Sequence, residues 1–273
     1  MAFTYAEKYS NLVDELFTKE SITDAIVNNS YDWDGVQTIK VYGVDVPKLN
    51  DYTISGLNRY GTPEELGNTA KAYMLTQDKA FTFTIDKRSN LDTNGAMEAG
   101  AALSRTIRQV IIPEIDKYRL SKIVADAGTT STATALSKTN IYENVLKAQE
   151  TLGENNVPDT DRVIFMPYSI YNLLKQDSNF VKQSDISQDM LIRGSFGLVD
   201  GLNVIPVASS LLPAGVGFVV AHRTATIGAQ KLAEYRTHEN PVGINGWLVE
   251  GRVYYDAFVL ASKAKAIYVH KIA

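Results

Sequence analysis

The stretch at residues 96–123, AMEAGAALSRTIRQVIIPEIDKYRLSKI, decides the fold. Met97, Ala101, Ile107, Val110, Ile111, Ile115, Tyr118 and Ile123 recur at helical spacings, so one apolar stripe runs along a single helix. Thr93 is placed to cap it, with Glu98 in the first turns. A helix of about 30 residues is about 45 Å long, more than most globular domains need. It has no heptad seam, which makes it a domain backbone rather than a coiled coil. Pro113 lies inside it. A proline removes a backbone donor and clashes with the preceding turn, so the helix is expected to kink or break near residue 112.

On the N-terminal side, KAFTFTID at 79–86 alternates strictly: Phe81, Phe83 and Ile85 point one way, Ala80, Thr82 and Thr84 the other. That is a strand with one face buried and one wet. VQTIKVYGVDV at 36–46 is rich in β-branched residues and reads as its partner. Between them, residues 47–70 are polar and carry Pro47, Gly56, Gly61, Pro63 and Gly67. Two strands joined by so long a stretch without a strong helix imply an extended hairpin, which needs a partner surface to be stable. Earlier still, residues 4–27 read as an amphipathic, acidic helix with Tyr5, Tyr9, Leu12, Val13, Leu16 and Phe17 on one face. It either packs on its own domain or docks on another chain.

On the C-terminal side, AGTTSTATALSK at 127–138 is a small, polar linker. Asn140 and Glu143 form a capping-box pattern that opens a helix with Ile141, Val145, Leu146 and Leu152 on one side, closed by Gly153. A buried strand at 162–166 runs into Pro167, which starts the short helix PYSIYNLLKQD. Residues 203–208 and 217–223 are further strands, and the tail is β-rich at 246–256 and 264–270. Helices and strands mix without regular βαβ repetition, so the class is α+β.

Composition narrows the function. Of 273 residues, 45% are hydrophobic and 21% charged, as in folded globular proteins. A net charge of −4 excludes a whole-chain basic nucleic-acid binder. Residues 1–30 are acidic and residues 250–273 mildly basic, which reads as solvated faces. With no cysteine there is no disulfide, thiol nucleophile or thiolate metal site. No run approaches a membrane span, and the N-terminus lacks the pattern of a signal peptide, so a soluble protein that stays where it is made is expected. No G-x-S-x-G, Walker loop or full G-x-G-x-x-G occurs, GSFG at 194–197 being a near miss. His238-Glu239 lacks a second histidine at 242, and SYDWDG at 30–35 fails as a calcium loop at Ser30 and Val41. Three histidines remain: His222 reads as a capped core residue, His238 as above, and His270 as a surface residue. No catalytic, metal or cofactor residue is assigned, and no cofactor is expected.

The pieces in order resemble the major capsid proteins of tailed bacteriophages, whose fold encapsulin shells and the herpesvirus capsid floor share. YMLTQDKAFTFTID at 73–86 is similar to the returning strand of the family's extended loop. Residues 96–123, with Ile-Pro-Glu-Ile-Asp at 112–116, resemble its spine helix. RVIFMPYSIYNLL at 162–174 resembles the strand–proline–helix of its axial domain. GSFGLVDGLNVIPVASSLLP at 194–213 and GRVYYDAFVLASKAKAIYVH at 251–270 resemble later segments. The resemblance covers nearly the whole chain and rests on order and spacing.

The resemblance implies an N-terminal arm at 1–30, an extended loop at 31–91, and a spine helix of the peripheral domain at 92–126. It implies an axial domain at 127–245 and C-terminal strands at 246–273 returning to the peripheral domain. It also implies a coat protein assembling through pentamers and hexamers into an icosahedral head around double-stranded DNA, in the host bacterial cytoplasm, with no membrane involved. Contacts between copies are expected at Tyr5, Tyr9, Leu12, Leu16 and Phe17 of the arm and at Phe81, Phe83 and Ile85 of the loop. Pro113 and Gly128 are the expected kink and hinge, and residues 176–200 the expected lining of the capsomer axis. A separate scaffolding protein and a portal protein are the expected partners, with no N-terminal cleavage and only non-specific contact with DNA. Some members cross-link a loop lysine to an asparagine; Lys48, Lys71 and Asn240 carry no motif for it, and no cross-link is expected. The alternatives are an encapsulin-like compartment shell and, from another class, a soluble enzyme with an unrecognised site.

Overall fold

In the computed structural model, which describes residues 21–24, 26–28, 38–44, 46–92, 98–177 and 198–273, strand β1 (Thr38–Val44) pairs antiparallel with β2 (Asn68–Met74). β3 (Gln77–Asp86) follows after Leu75 and Thr76 and enters a different sheet. The return strand of the hairpin is therefore β2, not the segment 79–86. The alternation in β3 marks a strand laid across the body: Ile85 is buried, Phe81 and Phe83 are half-buried, and the intervening residues are exposed.

Helix α1 (Lys87–Asp92) leads toward α2 (Ala99–Thr106), a π-helical turn (Ile107–Ile111) and α3 (Ile112–Ala125), which together form one continuous helix. The proposed cap at Thr93 lies outside the described residues, and Glu98 occupies the N-cap position. Pro113 does not break the helix. The Ile112 amide bonds Ile107, five residues back, and Pro113 then sits in the first turn of α3. The wider π turn relieves the clash between the proline ring and the preceding turn, where the missing donor would otherwise leave a gap in an α ladder.

The linker contains a two-residue strand, β4 (Thr129–Thr130). α4 (Ile141–Glu154) starts after Asn140, whose side-chain oxygen accepts from the Ser137 amide and not from the helix. Gly153 lies within α4, and the turn out of it is made by Asn156 at φ 56°. β5 (Arg162–Pro167) leads directly into α5 (Tyr168–Gln176), as the sequence predicts. β6 (Leu198–Val199), β7 (Leu202–Val207) and β8 (Val216–His222) follow, then β9 (Thr226–Glu239), β10 (Gly246–Val259) and β11 (Ile267–Lys271).

The strands form a six-stranded sheet in the order β4-β11-β8-β5-β7-β6 and a three-stranded sheet in the order β3-β10-β9. The expected α+β class holds. β5 and β8 are buried at every position and lie next to each other inside the larger sheet, which explains their continuous apolar runs. One face of the sheet packs on α3 through Leu120, Ile123, Phe165, Val219 and Ile267; the other packs on α4 and α5 through Ile141, Val145, Leu152, Ile170 and Leu174. Arg162 is buried in β5, and its guanidinium donates to the carbonyls of Val157 and Pro158 and to Gln149 Oε1.

The sheets divide the chain differently from the expected boundary at 245/246. β9, which the sequence reading did not identify, pairs with β10 along its length across that boundary. β11 returns not to that sheet but to the six-stranded one, between β4 and β8. His270, expected at the surface, is 1% exposed there and stacks on Phe218 with ring centroids 4.8 Å apart.

Most of the expected N-terminal helix lies outside the described residues, and the described part, 21–24 and 26–28, is not helical. Ile26 and Val27 are buried in the main core beside Leu120. The Asp116 carboxylate holds this segment down, accepting from Ser21 Oγ (2.8 Å), the Ile22 amide (3.0 Å) and Thr23 Oγ1 (2.5 Å). Arg119 adds bonds to Thr23 Oγ1 and Asp24, and the Asn28 amide bonds the Thr226 carbonyl.

Candidate functional site

The β1–β2 hairpin carries residues 46–67 at its far end, and these expose an unusual amount of apolar surface. Leu49 and Leu57 are fully exposed, Ile54 is 85% and Tyr60 84% exposed, and Val46, Tyr52 and Leu66 also face solvent. The segment is nonetheless folded. The Thr53 amide bonds the Arg59 carbonyl at 3.0 Å, the Gly61 amide bonds Asn58 at 2.9 Å, and Tyr52 meets Tyr60 edge-on at 5.1 Å. Gly56 (φ 98°) and Gly61 (φ 92°) supply the left-handed backbone of the turns. At Gly61 a side chain would also collide with Asn50. So many large apolar side chains left in water within one short segment mark a surface suited to binding protein.

The sequence reading expected the hairpin to need a partner but did not single out these tip residues. Isolated Leu, Ile and Tyr residues among Gly, Asn, Ser and Pro have no period to mark them; their one signal is apolar residues that no element of the same chain can bury.

The base of the hairpin is fastened to the body. Leu75 is buried against Ile227, Ala229 and Leu260. The Tyr254 hydroxyl donates to the Leu75 carbonyl at 3.0 Å, and the Tyr73 hydroxyl accepts from the Ala261 amide at 3.3 Å. Asp256, 2% exposed, accepts from the Thr76 amide (2.8 Å) and hydroxyl (2.7 Å) on one oxygen. On the other it accepts from the Tyr118 hydroxyl (2.8 Å) and the Ala257 amide (2.7 Å). Burial, first of all, and the adjacent Asp256 carboxylate push the Tyr118 phenol above its usual range, so it stays a donor.

Of the residues expected to touch other copies, Tyr5, Tyr9, Leu12, Leu16 and Phe17 lie outside the described residues, as does 178–197 of the expected axis lining. Ile85 is covered by its own chain, packed with Ala99 and Val249. Phe81 and Phe83 border the same cluster and stay half-exposed. Gly128 is held by a main-chain bond to Ala264. Lys48 and Lys71 are exposed on the hairpin, and Asn240 sits in the β9–β10 turn at φ 49°.

The outer face of the three-stranded sheet is a lattice of opposite charges. Arg252 bonds Asp78 through two nitrogens, Arg236 bonds Glu234 at 3.0 Å, and His238 lies 3.5 Å from Glu250. The Arg252 guanidinium holds the Asp78 carboxyl below its ordinary range. Among the described residues no cluster of three His, Cys, Asp or Glu side chains could hold a metal ion, and no helix is long and apolar enough to cross a membrane.

A family model described as phage capsid protein matches residues 69–270. Solved structures from phages superpose on almost the whole chain. That of Mycobacterium phage Che8 gives a TM-score of 0.72 at 18% identity, covering 97% of this chain and 96% of that one. The capsid structure of cyanophage P-SCSP1u gives 0.78 at 12% identity, with 98% and 93% covered. The asymmetric unit of the bacteriophage PhiM1 mature capsid gives 0.66 at 12% identity, with 99% and 92% covered. At these identities the likeness concerns the fold. No curated protein matches the chain.

Proposed function

This chain belongs to the phage capsid protein family and is a major capsid protein of the icosahedral head; on that premise we propose how it builds one. The subunits close into pentamers and hexamers through head-to-tail contacts, and one sequence serves both rings. The hairpin of each copy lies over a neighbour and buries its tip there. The observation that carries this reading is the tip itself: Leu49, Ile54, Leu57 and Tyr60 are presented on an ordered scaffold that leaves them in water.

Many modest contacts per subunit then make a durable shell, because several must break together before a copy leaves. With no cysteine, no disulfide contributes to that durability. We expect Lys48, Lys71 and Asn240 to remain unlinked, so particles boiled in SDS should run as a single subunit-sized band.

The shell encloses double-stranded DNA. A net charge of −4 suits a container that surrounds phosphates without gripping them, and the contact is non-specific. A separate scaffolding protein directs assembly in the host cytoplasm, and a portal protein occupies one vertex. Expression with the phage's own scaffold, followed by electron microscopy, should give closed shells. A monomer or dimer that forms neither rings nor shells with that scaffold would overturn the reading.

A further inference from the structure

We propose that Asp256 couples the long helix to the hairpin, so that the hairpin's direction on the body is set by α3 through Tyr118, Asp256 and Thr76. The capsid reading explains why that direction matters, but the coupling itself rests on geometry alone. Between the end of β2 at Met74 and the start of β3 at Gln77 the chain passes from one sheet to another through two residues. Leu75 is the buried pivot, and Thr76 is the first residue beyond it. Both polar atoms of Thr76 that can donate are bound to Asp256 Oδ2.

The opposite oxygen, Oδ1, faces the helix and takes the Tyr118 hydroxyl together with the Ala257 amide. With two donors on each oxygen, the carboxylate is saturated and cannot turn without straining one of them. Displacing Tyr118 therefore rotates the carboxylate and moves the donors of Thr76. The other ties of the hairpin base, Tyr254 to Leu75 and Tyr73 to the Val259 carbonyl and Ala261 amide, run to β10 and the residues just after it. They hold the hairpin without reporting the position of the helix. Asp256 follows a register shift at Tyr254/Tyr255 in the β10–β9 pairing, an irregularity of the kind that re-aims side chains.

The absence of cysteine permits a direct test on the unassembled full-length subunit. Spin labels at Leu57→Cys, on the tip, and Glu150→Cys, on the exposed side of α4, report the hairpin's angle as a distance distribution. Tyr118→Phe removes only the hydroxyl, and its ring keeps the edge-to-face contact with Tyr255. Thr76→Val removes the side-chain bond on the hairpin side. Each should broaden the distribution roughly twofold, and the double variant should be no broader than either, the non-additive result expected of one serial link. A Tyr118→Phe distribution as narrow as wild type would overturn the proposal. So would a fall in Tm without broadening, which would assign Tyr118 a purely structural role. The measurement is made before assembly, so its outcome is independent of whether shells form.

Discussion

The Gly128 amide donates to the Ala264 carbonyl at 2.9 Å, and a Cβ on that glycine would lie 2.5 Å from the same group. Gly128 joins the end of α3 to β4, and β4 pairs with β11 immediately after the turn that holds Ala264. The glycine is required by main-chain approach and not by a left-handed conformation. Gly128→Ala must push two backbones apart, which costs about 3 kcal/mol. For a chain of this size the unassembled subunit should melt roughly 8 °C lower. An unchanged Tm would show that the turn yields easily, as the expected hinge at this position requires.

Asp116 is the post to which the N-terminal segment is tied. Asp116→Ala removes the acceptor of three hydrogen bonds from Ser21, Ile22 and Thr23, two of them at 2.8 Å or less. Bonds to a charged acceptor are worth about 1.5–3 kcal/mol each before relaxation. Hydrogen exchange at the Ile22 and Asn28 amides should therefore accelerate by at least about tenfold, while β5 and β8 keep their protection. Equal acceleration throughout the chain would mean that Asp116 serves global stability and not the local tie.

Leu57→Asp combined with Ile54→Asp should separate assembly from folding. Both positions face water in the subunit, so the stability of the unassembled chain should stay within about 0.5 kcal/mol of wild type. Shell yield with the scaffold, read by sedimentation, should fall to background, because two carboxylates would be desolvated in each docked hairpin. Normal shells from this variant would exclude the tip as an assembly contact.

The parts of this molecule legible in sequence are those whose pattern is local. β3 declares its two faces by alternation, and β5 and β8 declare their burial by uninterrupted apolar runs. β9 reads TIGAQKLAEYRTHE, rich in good helix formers, and becomes a strand because β10 pairs with it along its length. The partition of β2 and β3 between two sheets was hidden for the same reason, since neither strand names its partner. Asp116 and Asp256 each share their element with another acidic residue, Glu114 in α3 and Glu250 in β10, so nothing local singles them out. The donors to Asp116 come from residues 93 to 95 positions away, and those to Asp256, apart from the adjacent Ala257 amide, from 138 to 180 positions away, too distant for any spacing rule to find.

His270 and His222 should make the subunit acid-sensitive. Both are buried, and burial is the main cause that lowers each imidazole below its ordinary value of 6.5. His270 stacks on Phe218, leaves Nδ1 without a partner and has Thr134 Oγ1 3.5 Å from Nε2. His222 receives the Thr224 amide on Nδ1, with Nε2 buried and unpartnered. Well above pH 6.5 the rings are neutral in both the folded and the unfolded chain, so they give stability no pH dependence there. As pH falls below 6.5 the unfolded chain takes up protons that the folded chain refuses, and stability declines toward the lowered folded-state values. The Asp78–Arg252 pair does not interfere: its contribution is present above the ordinary carboxyl value of 3.8 and is lost only at more acidic pH. The Tm of the unassembled subunit should thus change little near pH 8, begin to fall as pH approaches 6.5, and fall more steeply from 6.5 to 5. His270→Phe keeps an aromatic ring against Phe218 and should remove part of that slope. A variant that loses Tm as steeply as wild type over this interval would place the acid sensitivity elsewhere.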